Sequence, residues 1–185
     1  MAPKSSSKTG KKTISCTQGQ GELVFNGGYL GLSGEIVEKF CETFKTHIDK
    51  HVPKEFQKKK DDRDKTSHHH ITLMLKEDVK KALDALPNAF PDFLPPNATA
   101  ESLNIEHLLD VMAQNLNFSE MKCLGIGRQA KGSDETLFLV VEWPSANSFL
   151  QKVNATKRDF HVTLGFKDKD IHGVAKNYTT LLKLE

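Results

Sequence analysis

Two short segments of the chain share the pattern His-x-Thr-Leu, at residues 70–73 and again at residues 161–164. The segments read HHHITLML and DFHVTLGF, so each pattern stands among apolar residues that favour β-strands. In a chain of this composition, about 0.1 matches to His-x-Ser/Thr-Leu are expected by chance. The repeat therefore indicates a duplicated functional element.

Each pattern places an imidazole and a hydroxyl on the same face of its predicted strand. Because side chains alternate along a strand, His70 and Thr72 face one way and Ile71 and Leu73 face the other. The two polar groups are about 7 Å apart along the backbone, close enough to hold one tetrahedral anion. Two such strands at a cleft supply an acid, a base and two hydroxyl donors. In-line displacement at phosphorus needs this set of groups.

The residues around the two patterns predict the strands that must hold them. Alternation and β-favouring composition predict strands over residues 29–32, 68–75 and 160–166, the first of them after a turn at Asn26-Gly27-Gly28. Residues 121–128 and 136–143 are predicted to form a hairpin around a loop that contains Gly132. The strands lie among helical segments, which favours the α+β class.

Apolar spacing of three and four residues predicts four helices. They cover the residues after Ser33, an expected N-cap, up to about 50, and residues 76–86, 100–116 and 145–153. Pro53 is expected to end the first helix. The charged run at 54–66, KEFQKKKDDRDKT, is predicted to be a solvated loop.

Composition points to one folded domain after a short tail. The 185 residues are 37% hydrophobic and carry a net charge of +2. We predict a disordered basic tail over residues 1–18 and a single domain over residues 19–185. The tail holds Lys4, Lys8, Lys11 and Lys12 and no acidic residue. Without those lysines the domain is mildly acidic, which disfavours tight binding of long nucleic-acid duplexes.

The apolar pattern predicts neither a membrane-spanning segment nor a secretory signal. The sequence contains no continuous apolar run of about 20 residues and no apolar core of a secretory signal. Cys16, Cys41 and Cys123 form no CxxC pair and are interpreted as reduced thiols. These features predict a soluble, unsecreted protein of the cytoplasm, with the nucleus as the alternative.

With its two His-x-Thr motifs in apolar strands, the chain resembles the 2H phosphoesterases. We call His70, Thr72, His161 and Thr163 the four motif residues. The resemblance implies a bilobal α+β fold in which two antiparallel sheets flank a central cleft, with helices around them. It also implies catalysis without a metal or another cofactor. In the branch acting on RNA cyclic phosphates, His70 would be the proton donor, His161 the acceptor, and the two threonines the phosphate ligands.

The expected function is hydrolysis of 2′,3′-cyclic phosphates at RNA ends or on small nucleotides. Residues 168–182, DKDIHGVAKNYTTLL, are also similar to the fungal and plant RNA-repair branch. Two alternatives use the same residues: a 2′-5′ or 3′-end RNA phosphodiesterase, and a non-catalytic nucleotide-binding module. No membrane and no obligate protein partner is expected, and the protein is predicted to be a monomer. Unperturbed histidines predict a pH optimum of about 6 to 7.

Several other side chains are candidates for substrate binding. Tyr29 and Trp143 are aromatic residues that can stack on a base, with core packing as the alternative for Trp143. Arg128 is a candidate for contact with a phosphate at the rim of the cleft. In the tract of residues 68–70, only His68 and His70 share a strand face, so a complete metal site is not expected there.

Overall fold

The computed structural model describes residues 11–15 and 20–185, which contain seven β-strands and six α-helices. The strands are β1 (Lys12–Ser15), β2 (Gly21–Phe25), β3 (Tyr29–Gly34), β4 (His70–Leu75), β5 (Lys122–Lys131), β6 (Asp134–Glu142) and β7 (His161–Phe166). The helices are α1 (Glu35–Thr43), α2 (Lys45–His51), α3 (Lys54–Asp64), α4 (Lys76–Ala89), α5 (Ile105–Asn115) and α6 (Pro144–Lys152). Within these residues, no helix is long and apolar enough to cross a membrane.

All seven strands belong to one antiparallel sheet, in the order β1-β2-β3-β4-β7-β6-β5. The two strands that carry the His-x-Thr motifs, β4 and β7, are neighbours at the centre. They are joined by a single registered pair, Ile71 opposite Val162, whereas the neighbouring strand pairs share four to nine. The α+β class is confirmed. The expected two sheets are not found, because this narrow seam joins both halves into one sheet.

The strand alternation predicted for the motif segments is confirmed. On β4, Ile71 and Leu73 are fully buried, and on β7 Val162 and Leu164 are 0% and 2% exposed. The four motif residues between them are only partly buried. Helix α4 contacts β3 and β4, and α5 contacts β1 and β2. Because the apolar residues of β4 and β7 are buried against the core, the four motif residues must lie on the other face of the sheet.

The charged run at 54–66 is a helix, so the prediction of a loop was wrong. Helix α3 spans Lys54–Asp64 and buries only Phe56 and Lys60. The ammonium group of Lys60 donates to the carbonyl oxygen of His68 at 2.7 Å, which makes its burial tolerable. Because a lysine replaces an apolar residue on the buried face, the run has no apolar periodicity from which the helix could be recognised.

The first predicted helix is divided at Phe44 into α1 and α2. The N-cap of α1 is Gly34 and not the predicted Ser33. The φ angle at Gly34 is 103°, a conformation that favours glycine. Ser33 instead pairs with His70 in the sheet. The helix predicted at 100–116 begins only at Ile105, where the side chain of Asn104 accepts two backbone N–H groups.

Part of the predicted disordered tail is a strand. Strand β1 pairs with β2, and the Lys12 ammonium lies 2.7 Å from a carboxylate oxygen of Glu106 on α5. The prediction for residues 1–18 was therefore wrong at residues 12–15. The predictions for residues 1–10 and 16–18 lie outside the described residues.

Gly165 is required for α3 to pack on β7. A Cβ atom at Gly165 would stand 2.6 Å from the backbone carbon of Phe56, where no flexible side chain can yield. We expect Gly165→Ala to lower the free energy of unfolding by about 2 kcal/mol, measured by urea denaturation. The control is Gly28→Ala, whose Cβ would meet its nearest atom at an ordinary 3.5 Å. Equal stability of the two variants would contradict this packing role.

Candidate active site

The four motif residues lie on one face of the sheet, at the seam between β4 and β7. Ile71 and Val162 are opposite each other and point to the same face, as directly paired residues in antiparallel strands do. The residues before and after each of them therefore point to the other face. Two imidazoles and two hydroxyls are thus brought together from distant parts of the chain, as the duplicated motif predicts.

The ring of His161 is held in one tautomer. Its Nδ1 atom lies 2.8 Å from the backbone carbonyl oxygen of Asp159. Because a carbonyl oxygen only accepts, Nδ1 must carry the proton and donate it. In the neutral ring, Nε2 is then the atom with the free electron pair. This is the electronic state that a general base requires.

A buried lysine lies beside that electron pair. The ammonium nitrogen of Lys176 is 3.4 Å from His161 Nε2 and 3.3 Å from a carboxylate oxygen of Asp170. Burial, and then the positive charge of Lys176, lower the pKa of His161 to about 4. The imidazole is therefore neutral at neutral pH.

The ring of His70 packs against an aromatic neighbour. It stacks on Tyr29, with ring centroids 4.9 Å apart and an interplanar angle of 20°. Burial lowers the pKa of His70 below its ordinary value of 6.5, and the carboxylate of Asp64 opposes this shift. Tyr29 therefore contacts the first motif histidine, and its stacking on a base stays a prediction.

A groove of about 870 Å³ opens onto His161. Its lining includes Lys157, Arg158, His172 and Lys176. A second groove of about 1030 Å³ shares Lys157, Arg158, Asp159 and Lys176 with the first. Three of those four shared residues are basic, which suits an anionic ligand.

Two of the candidate substrate contacts are already engaged with other protein groups. The indole ring of Trp143 is 1% exposed, packs against Phe118 and Phe160, and donates from Nε1 to the carbonyl oxygen of Asn117 at 3.0 Å. It is a core residue and cannot stack on a base. Arg128 pairs with Glu135 at 2.7 Å and lines neither of the two grooves.

The neighbours of His70 in the histidine tract lie near α1. The backbone N–H of His69 donates to Glu38, and its Nδ1 atom lies 2.9 Å from the same carboxylate. His68 is exposed, with its Nδ1 atom 3.9 Å from Glu38. Glu38, Cys41 and His69 offer possible metal ligands within 4.8 Å of one another. The two hydrogen bonds from His69 account for its proximity to Glu38, and Cys41 follows Glu38 by three residues on the same helix.

The sequence patterns did not identify the charged residues behind the site. Asp170 accepts from Arg63 of α3 at 2.7 Å as well as lying near Lys176. The side chain of Asp159 accepts from the backbone N–H of Lys176 at 3.0 Å. A partial signal was present, because Asp170 and Lys176 belong to the segment that is similar to RNA-repair relatives.

Comparison with known protein families gives one match. Residues 28–172 match a family model described as Swiss Army Knife, 2H phosphoesterase domain. The matched segment covers more than half of the chain and contains both His-x-Thr motifs. No curated protein and no solved structure matches the chain.

Proposed function

Because the chain belongs to the 2H phosphoesterase family, we propose that it hydrolyses 2′,3′-cyclic phosphates at RNA ends or on small nucleotides without a metal. The family acts on phosphoester bonds, and the cyclic substrate is our proposal. The observation that carries it is the contact of the His161 ring with Asp159, in which Nδ1 lies 2.8 Å from the carbonyl oxygen and Nε2 is the atom left to act as a base. The other three motif residues share its sheet face and complete the set of groups needed.

The proposed reaction is an in-line attack of water on phosphorus. His161 Nε2 accepts a proton from the water, whose oxygen forms the new bond to phosphorus. The bond from phosphorus to one ribose oxygen breaks, and that oxygen takes a proton from His70. Thr72 and Thr163 donate hydrogen bonds to the non-bridging oxygens as negative charge builds on them. The product is a phosphomonoester beside a free ribose hydroxyl.

Several features support the division of roles between the two histidines. His161 has a fixed tautomer and a strongly lowered pKa, which favour the neutral base. His70 stacks on Tyr29 and has the negative Asp64 nearby, which opposes the loss of its proton. A bound phosphate anion adds further negative charge and raises the pKa of His70, which favours the protonated acid.

Three substrates test the proposed specificity. The purified protein is offered RNA ending in a 2′,3′-cyclic phosphate, a 2′-5′-linked oligonucleotide, and 3′-5′ RNA with a free 3′ hydroxyl. We propose that only the first is converted. Cleavage of the 2′-5′ linkage alone, or trimming of the free 3′ end alone, would replace the proposal by the corresponding RNA phosphodiesterase.

The pH dependence of kcat/KM follows from the two lowered pKa values. His161 must be neutral, so kcat/KM rises as the pH passes upward through a pKa of about 4. His70 must be protonated, so kcat/KM falls as the pH passes upward through a pKa below 6.5. We therefore expect an optimum between pH 4 and 6.5, more acidic than unperturbed histidines predict. The two apparent pKa values of this profile are properties of the interacting histidine pair and not of either residue alone.

Rate measurements at saturating and at low substrate check this prediction. The optimum of kcat is expected at a higher pH than that of kcat/KM, because the bound phosphate raises the pKa of His70. A kcat/KM optimum above pH 7 would contradict the proposed protonation states.

A further inference from the structure

Lys176 is a nearly fully buried lysine that the two motifs do not include. The residue is 3% exposed, yet it lines both grooves, including the one that contains His161. Lysine is almost never buried to this extent unless its charge is paired. Burial lowers the pKa of Lys176, and Asp170 opposes that shift. A buried charge at this position needs an explanation beyond packing.

Asp159, two residues before the second motif, holds Lys176 and His161 in one arrangement. The Asp159 carboxylate accepts the Lys176 backbone N–H at 3.0 Å and the Asn177 side-chain amide at 3.2 Å. The Asp159 backbone carbonyl accepts from His161 Nδ1. One residue therefore orients both the imidazole ring and the start of the segment that carries the ammonium group.

The ammonium group of Lys176 has donor capacity to spare. It carries three N–H bonds. Among the described residues, its hydrogen-bond partners are His161 Nε2 at 3.4 Å and Asp170 at 3.3 Å, both longer than usual for a charged donor. Asp170 is more closely bound by Arg63, at 2.7 Å. An additional acceptor with negative charge would be better matched to this group than its present neighbours.

The four motif residues provide no permanent positive charge for the proposed reaction. His70 and His161 both have lowered pKa values, and the two threonine hydroxyls are neutral. A phosphodiester carries one negative charge, which spreads over its non-bridging oxygens during displacement. Fixed donors that point at such developing charge are among the strongest contributions to catalysis.

We propose that Lys176 is a catalytic residue whose ammonium group donates to a non-bridging phosphate oxygen, beside Thr72 and Thr163. This inference rests on the proposed function. In the structure, the ammonium group lies 3.4 Å from His161 Nε2, the atom that must accept a proton. An entering phosphate offers it a charged acceptor instead, and Nε2 is then free to take a proton from water.

The test compares Lys176→Met and Lys176→Arg with wild type on RNA that ends in a 2′,3′-cyclic phosphate. Methionine keeps the shape of the buried stem and removes the charge. We expect Lys176→Met to lower kcat about 10²-fold, the size of effect seen when one oxyanion donor is lost. Lys176→Arg keeps a charged donor and is expected to retain at least a tenth of kcat. If wild type cleaves this substrate and Lys176→Met cleaves it at a rate within threefold of wild type, the inference about Lys176 is wrong and the proposed function stands.

The control is Lys169→Met, which removes a charge from the same segment. Lys169 has a largely exposed side chain, pairs with Asp134 at 3.6 Å, and lines neither groove. Its kcat is expected to equal that of wild type. If Lys176→Met does not fold, as judged by thermal unfolding, Lys176→Gln replaces it in the comparison with Lys176→Arg. Equal rates for that pair would contradict a role for the charge.

Binding separates this inference from the proposed reaction. The probe is a trinucleotide with a 2′,3′-cyclic phosphate, and the His70→Ala background slows its turnover during the binding measurement. Adding Lys176→Met is expected to weaken binding about tenfold, because a charged donor to the phosphate is lost. If wild type cleaves no cyclic phosphate, the proposed function fails, and the binding result still decides whether Lys176 contacts the anion. Unchanged binding would reject that contact.

Discussion

His70→Ala and His161→Ala are each expected to lose at least about 10²-fold in turnover of a 2′,3′-cyclic phosphate. General acid–base catalysis by a positioned side chain is typically worth that factor or more. The double variant is expected to fall little below the slower single variant, because both histidines act in the same displacement. Steady-state rates with cyclic-phosphate-ended RNA measure the effect.

Folding controls accompany these two variants. His47→Ala removes a partly buried imidazole on α2 that lines neither groove, and is expected to keep the wild-type rate. Both motif variants are expected to unfold at denaturant concentrations close to that of wild type, because the two rings are only partly buried. A folded His70→Ala or His161→Ala protein with wild-type turnover would contradict the paired-histidine mechanism.

A substrate with a better leaving group is expected to separate the two histidines. In a p-nitrophenyl phosphodiester the p-nitrophenolate group leaves without taking a proton, so its cleavage does not need the acid. His70→Ala is expected to lose at least about 10²-fold on the cyclic phosphate but less than about tenfold on the aryl ester. His161→Ala is expected to lose the same factor on both substrates, because both need the attacking water to be deprotonated.

The ratio of the two rates, measured for each variant, decides the assignment. Rescue of His161→Ala in place of His70→Ala would exchange the roles of acid and base. Rescue of neither variant would argue against proton transfer by this pair, and the motif residues would then act only as phosphate ligands.

The four motif residues could be predicted because their signal is local and repeated. Alternation along a strand fixes which side chains share a face, so Ile71 and Val162 enter the core and their neighbours do not. The order of strands is a different matter. The pairing of β4 with β7 joins segments from distant parts of the chain, and no local pattern specifies which edges meet. The single sheet was missed for that reason.

Two other differences have local physical causes. Helix α3 was missed because a buried lysine replaces the apolar stripe, and the hydrogen bond from Lys60 to the His68 carbonyl depends on tertiary structure. Trp143 was a candidate for stacking because aromatic side chains stack on bases, and its place between an apolar strand and a proline was the argument for core packing. Its burial between Phe118 and Phe160 follows from the packing of separate segments. Neither contact is encoded in nearby residues.

Lys176 illustrates the same limit at the site itself. It stands in a polar segment, and its charge is indistinguishable in the sequence from that of an exposed lysine. Only the contacts of Asp159 and Asp170 bring its ammonium group to His161. Motif spacing therefore identifies the residues proposed as acid, base and hydroxyl donors, whereas Lys176, proposed to bring a positive charge, is found from the tertiary structure.

The most direct test of the central claim is turnover of a cyclic-phosphate-ended oligoribonucleotide by the full chain in excess chelator. The products are separated by chromatography that resolves 2′- from 3′-phosphate ends. Wild type is expected to convert the substrate fully to one phosphomonoester isomer, because the four motif residues supply acid, base and donors without a metal. The double His70→Ala, His161→Ala variant is expected to leave it intact. Substrate that wild type binds but leaves uncleaved for hours, or that it cleaves only after zinc, magnesium or manganese is restored, would contradict the account.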